Sequence, residues 1–82
     1  MGRTKRQKPK RLARKLLTIR QELGASQTQM AKLLRLKKAY TAVSAYERGI
    51  REPDLLVLLR YAKLAKISTD VLVDDTKDLL EK

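Results

Sequence analysis

The strongest constraint on the fold lies in residues 26–49, SQTQMAKLLRLKKAYTAVSAYERG, which read as two short helices joined by a tight connection and closed by a glycine. Ser26 stands where its hydroxyl accepts from the backbone N–H of Gln29, and Gln29 reaches back in return, the reciprocal capping box. Met30, Ala31 and Leu34, at i, i+1 and i+4, form the inward face of this helix. The next helix turns Val43 and Tyr46 inward, at i and i+3, and Gly49 supplies the left-handed residue that lets the chain leave it. Its outward residues are Tyr40, Thr41, Ala42, Ser44 and Ala45. The intervening LRLKKA holds no good N-cap. Thr41 serves only if the helix begins late and keeps barely two turns, so the start is expected near Lys38 or Ala39.

The flanking segments supply three further helices. Pro9 suits a first helical turn, where its missing N–H would be unpaired anyway. From there Leu12, Leu16, Ile19 and Leu23 recur as one apolar stripe that Gly24 ends, with Arg11, Arg14 and Lys15 expected off the stripe and in water. After the polar IREP connection, Pro53 suits the first position of a fourth helix and Asp54 its positive end. Leu55, Leu58, Leu59 and Ala62 mark a buried stripe there; Leu56 and Val57 widen it, which makes this the expected central helix. Ser68 is expected to cap a fifth helix, TDVLVDD, with Val71, Leu72 and Val73 as its apolar contact. The acidic TKDLLEK either extends that helix or frays. With no strand signal, repeat or internal linker, the expected fold is a compact, all-α, five-helix domain over residues 9–75, flanked by an arm (1–8) and an acidic tail or helix extension (76–82).

Eighty-two residues make one small domain with a modest core and no room for a deep cleft. Twenty Lys and Arg against nine Asp and Glu give +11, a charge drawn to polyanions. The absence of Cys and His removes thiol nucleophiles, imidazole bases and the usual zinc ligands, so neither an enzyme nor a metal or cofactor is expected. No apolar run suits a signal peptide or a membrane span, and a cytoplasmic protein is expected. The charge is graded along the chain. Residues 1–20 hold nine basic and no acidic side chains, residues 21–51 six and two, residues 52–82 five and seven. Residues 1–8, without an apolar side chain after Met1, read as a flexible arm whose Arg3, Lys5, Arg6 and Lys8 either follow a minor groove and its phosphates or merely solvate the chain.

The pair of short helices at residues 26–49 suits a helix-turn-helix. Residues 19–73 resemble the phage-repressor and Cro-like transcription factors. The landmarks are IR at 19–20, G-x-SQ at 24–27, MA at 30–31, V-x-x-YERG at 43–49, Pro53, LL-x-x-A at 58–62 and the helix led by Ser68. The resemblance implies a DNA-binding regulator, most often a repressor, of a prokaryotic nucleoid, bound to double-stranded DNA as a homodimer on a two-fold site. It implies that Gln27 bonds a phosphate, that Arg20 of the first helix pairs with Glu47 of the third, and that Arg48 and Arg51 contact phosphates, the plain alternative for each arginine being a solvated surface residue. The connection before the third helix is about two residues longer than is usual in the family. Lys37 and Lys38 are the extras, and they place two cations near the expected groove edge.

Base readout would fall to Tyr40, Thr41, Ser44 and Ala45, with Ala42 as readily a packing residue. None is a bidentate reader of guanine or adenine, so backbone contacts and DNA shape are expected to carry a larger share of the recognition. The rival reading is a protein-interaction module of the same fold, antitoxin- or adaptor-like, in which the third helix meets a protein partner. Its small outer face suits that role and its basic arm does not. RNA binding is disfavoured for want of an exposed aromatic platform. Leu79 and Leu80 offer a candidate dimer surface.

Overall fold

The computed structural model describes residues 11–36, 40–77 and 79. The described residues form five helices, α1 (Leu12–Leu23), α2 (Gln27–Leu33), α3 (Tyr40–Glu47), α4 (Leu55–Ala65) and α5 (Thr69–Val73), and no strand. α2 packs most closely on α3, and α1 lies against α3, α4 and α5. The hub is therefore α1, not α4 as the leucine content of α4 suggests. The expected helical starts at Pro9 and at Lys38 or Ala39 lie outside the described residues.

Local sequence sets most helix ends. The Ser26 hydroxyl accepts from the Gln29 N–H at 3.0 Å and the Gln29 side chain accepts from the Ser26 N–H at 2.8 Å, which satisfies two of the donors a helix start leaves open. Asp54, rather than Pro53, starts α4: its carboxylate accepts from the Val57 N–H at 3.0 Å, and Pro53 is buried one residue outside. Ser68 occupies the N-cap of α5, but its side chain makes no cap bond. Four helices close with the same paired backbone bonds. Gly24 and Gly49 hold the left-handed position after α1 and α3, at φ 70° and 73°. Arg35 and Lys66 hold it after α2 and α4, at φ 60° and 61°.

The core gathers Leu12, Leu16 and Ile19 of α1, Met30 and Ala31 of α2 with Leu34, Val43 and Tyr46 of α3, Val57, Tyr61 and Ala62 of α4, and Leu72 of α5. Several expectations are corrected here. Leu23 is exposed, because α1 reaches past the core in its last turn. Ala42 is buried, so it belongs to helix packing and not to the outer face of α3. On α4 the buried positions are Val57, Tyr61 and Ala62; Leu58 is half-buried, while Leu55, Leu56 and Leu59 face out. On α5 only Leu72 is fully buried, with Val71 half-buried and Val73 exposed. Leu79 is half-buried and packs against the chain's own core; Leu80 lies outside the described residues.

Lys15 is the largest departure. It is buried, and its ammonium donates to the carbonyls of Val71 (2.6 Å) and Asp74 (2.9 Å). These are carbonyls at the end of α5 that lack helical partners, so a cation from α1 closes the last helix. Burial lowers the amine's pKa and Arg11 lowers it further, while Asp75 and Asp74 act the other way. Beside it the Arg11 backbone N–H donates to the Asp75 carboxylate at 3.0 Å, and the Arg11 guanidinium to the Asp75 carbonyl at 2.7 Å. The Thr76 hydroxyl and N–H both donate to Asp74 and hold its carboxyl below the usual range.

Candidate nucleic-acid interface

The pattern of α3 separates two faces. Val43 and Tyr46 enter the core, i and i+3, with Ala42 beside them. The opposite face carries Tyr40 and Thr41, both exposed, and Ser44 and Ala45, both half-buried. Tyr40 with Ser44, and Thr41 with Ala45, are i, i+4 neighbours and so form one surface. That surface is made of a phenol, two hydroxyls and a methyl, groups that donate or accept one hydrogen bond or pack against an apolar atom.

The far end of α3 is fixed by Glu47. Arg20 Nε lies 2.7 Å from one carboxylate oxygen and Nη2 3.1 Å from the other, a forked pair, while Arg20 Nη1 donates to the Ala25 carbonyl at 3.0 Å. The hydrogen bond to Glu47 raises the arginine's pKa, against a smaller opposing effect of burial. Gln27, the first residue of α2, donates its side-chain amide to the same carboxylate at 3.0 Å. One carboxylate thus joins α1, α2 and α3, and sets the rotamer of Gln27. The second amide proton of Gln27 and its oxygen remain for another partner.

Arg48 and Arg51 are exposed just beyond α3. Arg51 stands 6.0 Å from the centre of the Tyr46 ring, at the outer limit of a cation–π contact. Burial raises the Tyr46 phenol pKa; Arg51 pulls it down and Asp54 up. Gly49 turns the chain so that the backbone N–H groups of Ile50 and Arg51 both reach the Ala45 carbonyl, at 3.0 and 3.3 Å. Lys37 and Lys38, and the arm residues Arg3, Lys5, Arg6 and Lys8, lie outside the described residues. Among those described, no group of His, Cys, Asp or Glu is arranged to hold a metal ion, and no helix is long and apolar enough to cross a membrane.

A short α2 packed on α3, with a polar outer face on α3 beside exposed arginines, is the geometry of a helix-turn-helix, and residues 10–72 match the family model described as Helix-turn-helix. The chain belongs to the phage-repressor and Cro-like helix-turn-helix family. No curated protein matches it. As a member of this family it is a DNA-binding regulator. The helix-turn-helix reading drew Gln27, Arg20 and Glu47 from separate landmarks, but did not foresee that the three side chains meet at one carboxylate. It also missed Arg60, whose Nη1 donates to the Leu34 carbonyl at 2.9 Å and ties α4 to the end of α2. No local signal marks that contact, since a helix-surface arginine reads as solvated.

Proposed function

We propose that this protein is a sequence-specific repressor that binds double-stranded DNA in the prokaryotic cytoplasm by laying α3 in the major groove. Tyr40, Thr41, Ser44 and Ala45 meet base edges; Gln27, Lys37, Lys38, Arg48 and Arg51 meet phosphates; Arg3, Lys5, Arg6 and Lys8 follow the backbone or the minor groove. Two copies bind a two-fold site with half-sites about one helical turn apart. The observation that supports this best is the pairing of a solvent-facing Tyr40–Thr41 surface with a Gln27 side chain held on Glu47 at 3.0 Å, in a chain of charge +11. Absence of Arg, Asn or Gln from the reading positions gives DNA shape and backbone contacts a large share of the specificity.

Selection from random duplexes, followed by affinity measurement at fixed salt, tests the reading. A palindromic consensus is expected, with Thr41→Ala relaxing one position by less than the roughly 1–3 kcal/mol that a bidentate reader contributes. Arg48→Ala is expected to weaken all sequences alike and to lower the salt slope by about 1. Equal affinity for selected and random duplexes overturns specific recognition, and an asymmetric consensus overturns the two-fold arrangement.

A further inference from the structure

α4 carries more leucine than the core accepts. Leu55, Leu56 and Leu59 are 76%, 53% and 39% exposed, and Leu33 at the end of α2 is 46% exposed. Leu33, Leu56 and Leu59 line a groove of about 270 Å³ between α2 and α4, whose remaining walls include Arg35, Arg60 and Lys63 and, among the described residues, no acidic one. Exposed leucines gathered in a concave site differ from leucines scattered singly, which need no explanation. The groove sits at the opposite end of α2 from Gln27, about 9 Å along the helix axis, so it does not share the Gln27 surface.

We propose that this groove docks an amphipathic helix from a partner protein, one whose apolar side chains are flanked by Asp and Glu. The apolar contact comes from Leu56 and Leu59, which with Lys63 run i, i+3, i+7 along one ridge of α4 and present the spacing that helix-in-groove recognition uses. The choice of occupant rests on charge. Three cations without an acid rim the groove, and Arg60 is held in place by its bond to the Leu34 carbonyl at 2.9 Å. A second copy of this chain laid across the groove about a two-fold axis would bring the same three cations against themselves, a like-charge juxtaposition that interfaces avoid. An acidic helix neutralises them while covering the leucines. A bilayer presents a flat face and leaves a concave site unfilled.

A display library of helix-forming peptides about four turns long, selected against the full chain, tests this. The expected winners carry leucine or a similar residue at i, i+3 or i+4 and i+7 with an excess of Asp and Glu. Their affinity should fall about tenfold or more for Leu56→Asp combined with Leu59→Asp, both exposed positions, with helical circular dichroism and duplex binding unchanged. Lys63→Glu, a surface change that does not threaten folding, should weaken them as well. Winners without acidic excess, or winners that bind these variants as tightly as the parent, overturn the proposal. So do two competing outcomes for the unmodified chain: self-association in sedimentation that Leu56→Asp abolishes, or variant-sensitive binding to vesicles of equal parts phosphatidylglycerol and phosphatidylcholine.

Discussion

The left-handed residues that close α1 to α4 behave differently at the scale of single side chains. Glycine adopts that conformation freely, whereas a side chain there costs about 1–2 kcal/mol. Lys66→Gly should therefore raise stability by about 1 kcal/mol, read as a shift in the urea midpoint at unchanged slope. Gly49→Ala should lower it by a similar amount: an added Cβ would stand 3.8 Å from the Ala13 Cβ, an ordinary contact, so the backbone alone carries the cost. Gly24 and Gly49 announce themselves in the sequence; Arg35 and Lys66 do not, because their conformation is imposed by the packing of the helices they end. Tyr61 is another buried residue whose state no local pattern reveals. Its hydroxyl is buried without a hydrogen-bond partner among the described residues, and burial, with Glu47 and Tyr46 nearby, pushes its pKa well above the ordinary 10.0. Tyr61→Phe should thus be near neutral or stabilising at pH 7. A raised pKa gives stability that is complete below pH 10 and lost as pH rises towards the folded value. The parent should weaken relative to Tyr61→Phe only above pH 10, measured by paired denaturation curves.

At the scale of helices, legibility followed the strength of local signals. The capping box of α2 and the Val43–Tyr46 face of α3 were readable because both rest on residues three apart in one turn. The buried face of α4 was not. LLVLLRYAKLA has apolar residues on every side, so periodicity fits several faces, and the face is decided by the Asp54 cap and by contact with α1 and α5. Tyr61, outside the stripe that the periodicity marks, is a central core residue at 0% exposure. Two charged links join helices that lie far apart in the chain. Arg20→Ala would leave the Glu47 carboxylate, 5% exposed, without its fork and should cost about 3 kcal/mol; Arg20→Lys cannot restore both bonds. Lys15→Ala would strip the Val71 carbonyl of its ammonium donor and leave the Asp74 carbonyl only the Lys77 N–H, at a cost of about 2 kcal/mol. Both are measurable by chemical denaturation. A lysine near an apolar stripe reads as solvated, and only the arrival of α5 over α1 makes it a cap.

At the scale of the whole molecule, the gradient of charge from +9 in residues 1–20 to −2 in residues 52–82 was plain from composition, and it agrees with a DNA-binding family. Deleting residues 1–8 removes Arg3, Lys5, Arg6 and Lys8. If each meets a phosphate, the slope of log affinity against log salt should become shallower by about 0.9 per contact per copy, with the consensus unchanged. A slope that stays constant would mark the arm as a solvating tail. The partner groove was hidden from composition altogether, since it depends on which leucines of α4 the core rejects.

The tie between Lys15 and the carbonyls of Val71 and Asp74 spans 56 and 59 positions of chain. A ribosome making this protein releases α1 long before the carbonyls that will receive its ammonium exist. The Lys15 amine must therefore stay hydrated until α5 emerges. Closure of α1 by α5 is consequently a step that follows the rest of the core, and a chain truncated before residue 71 should lack the Lys15 bonds while keeping the contacts of α1 with α3 and α4.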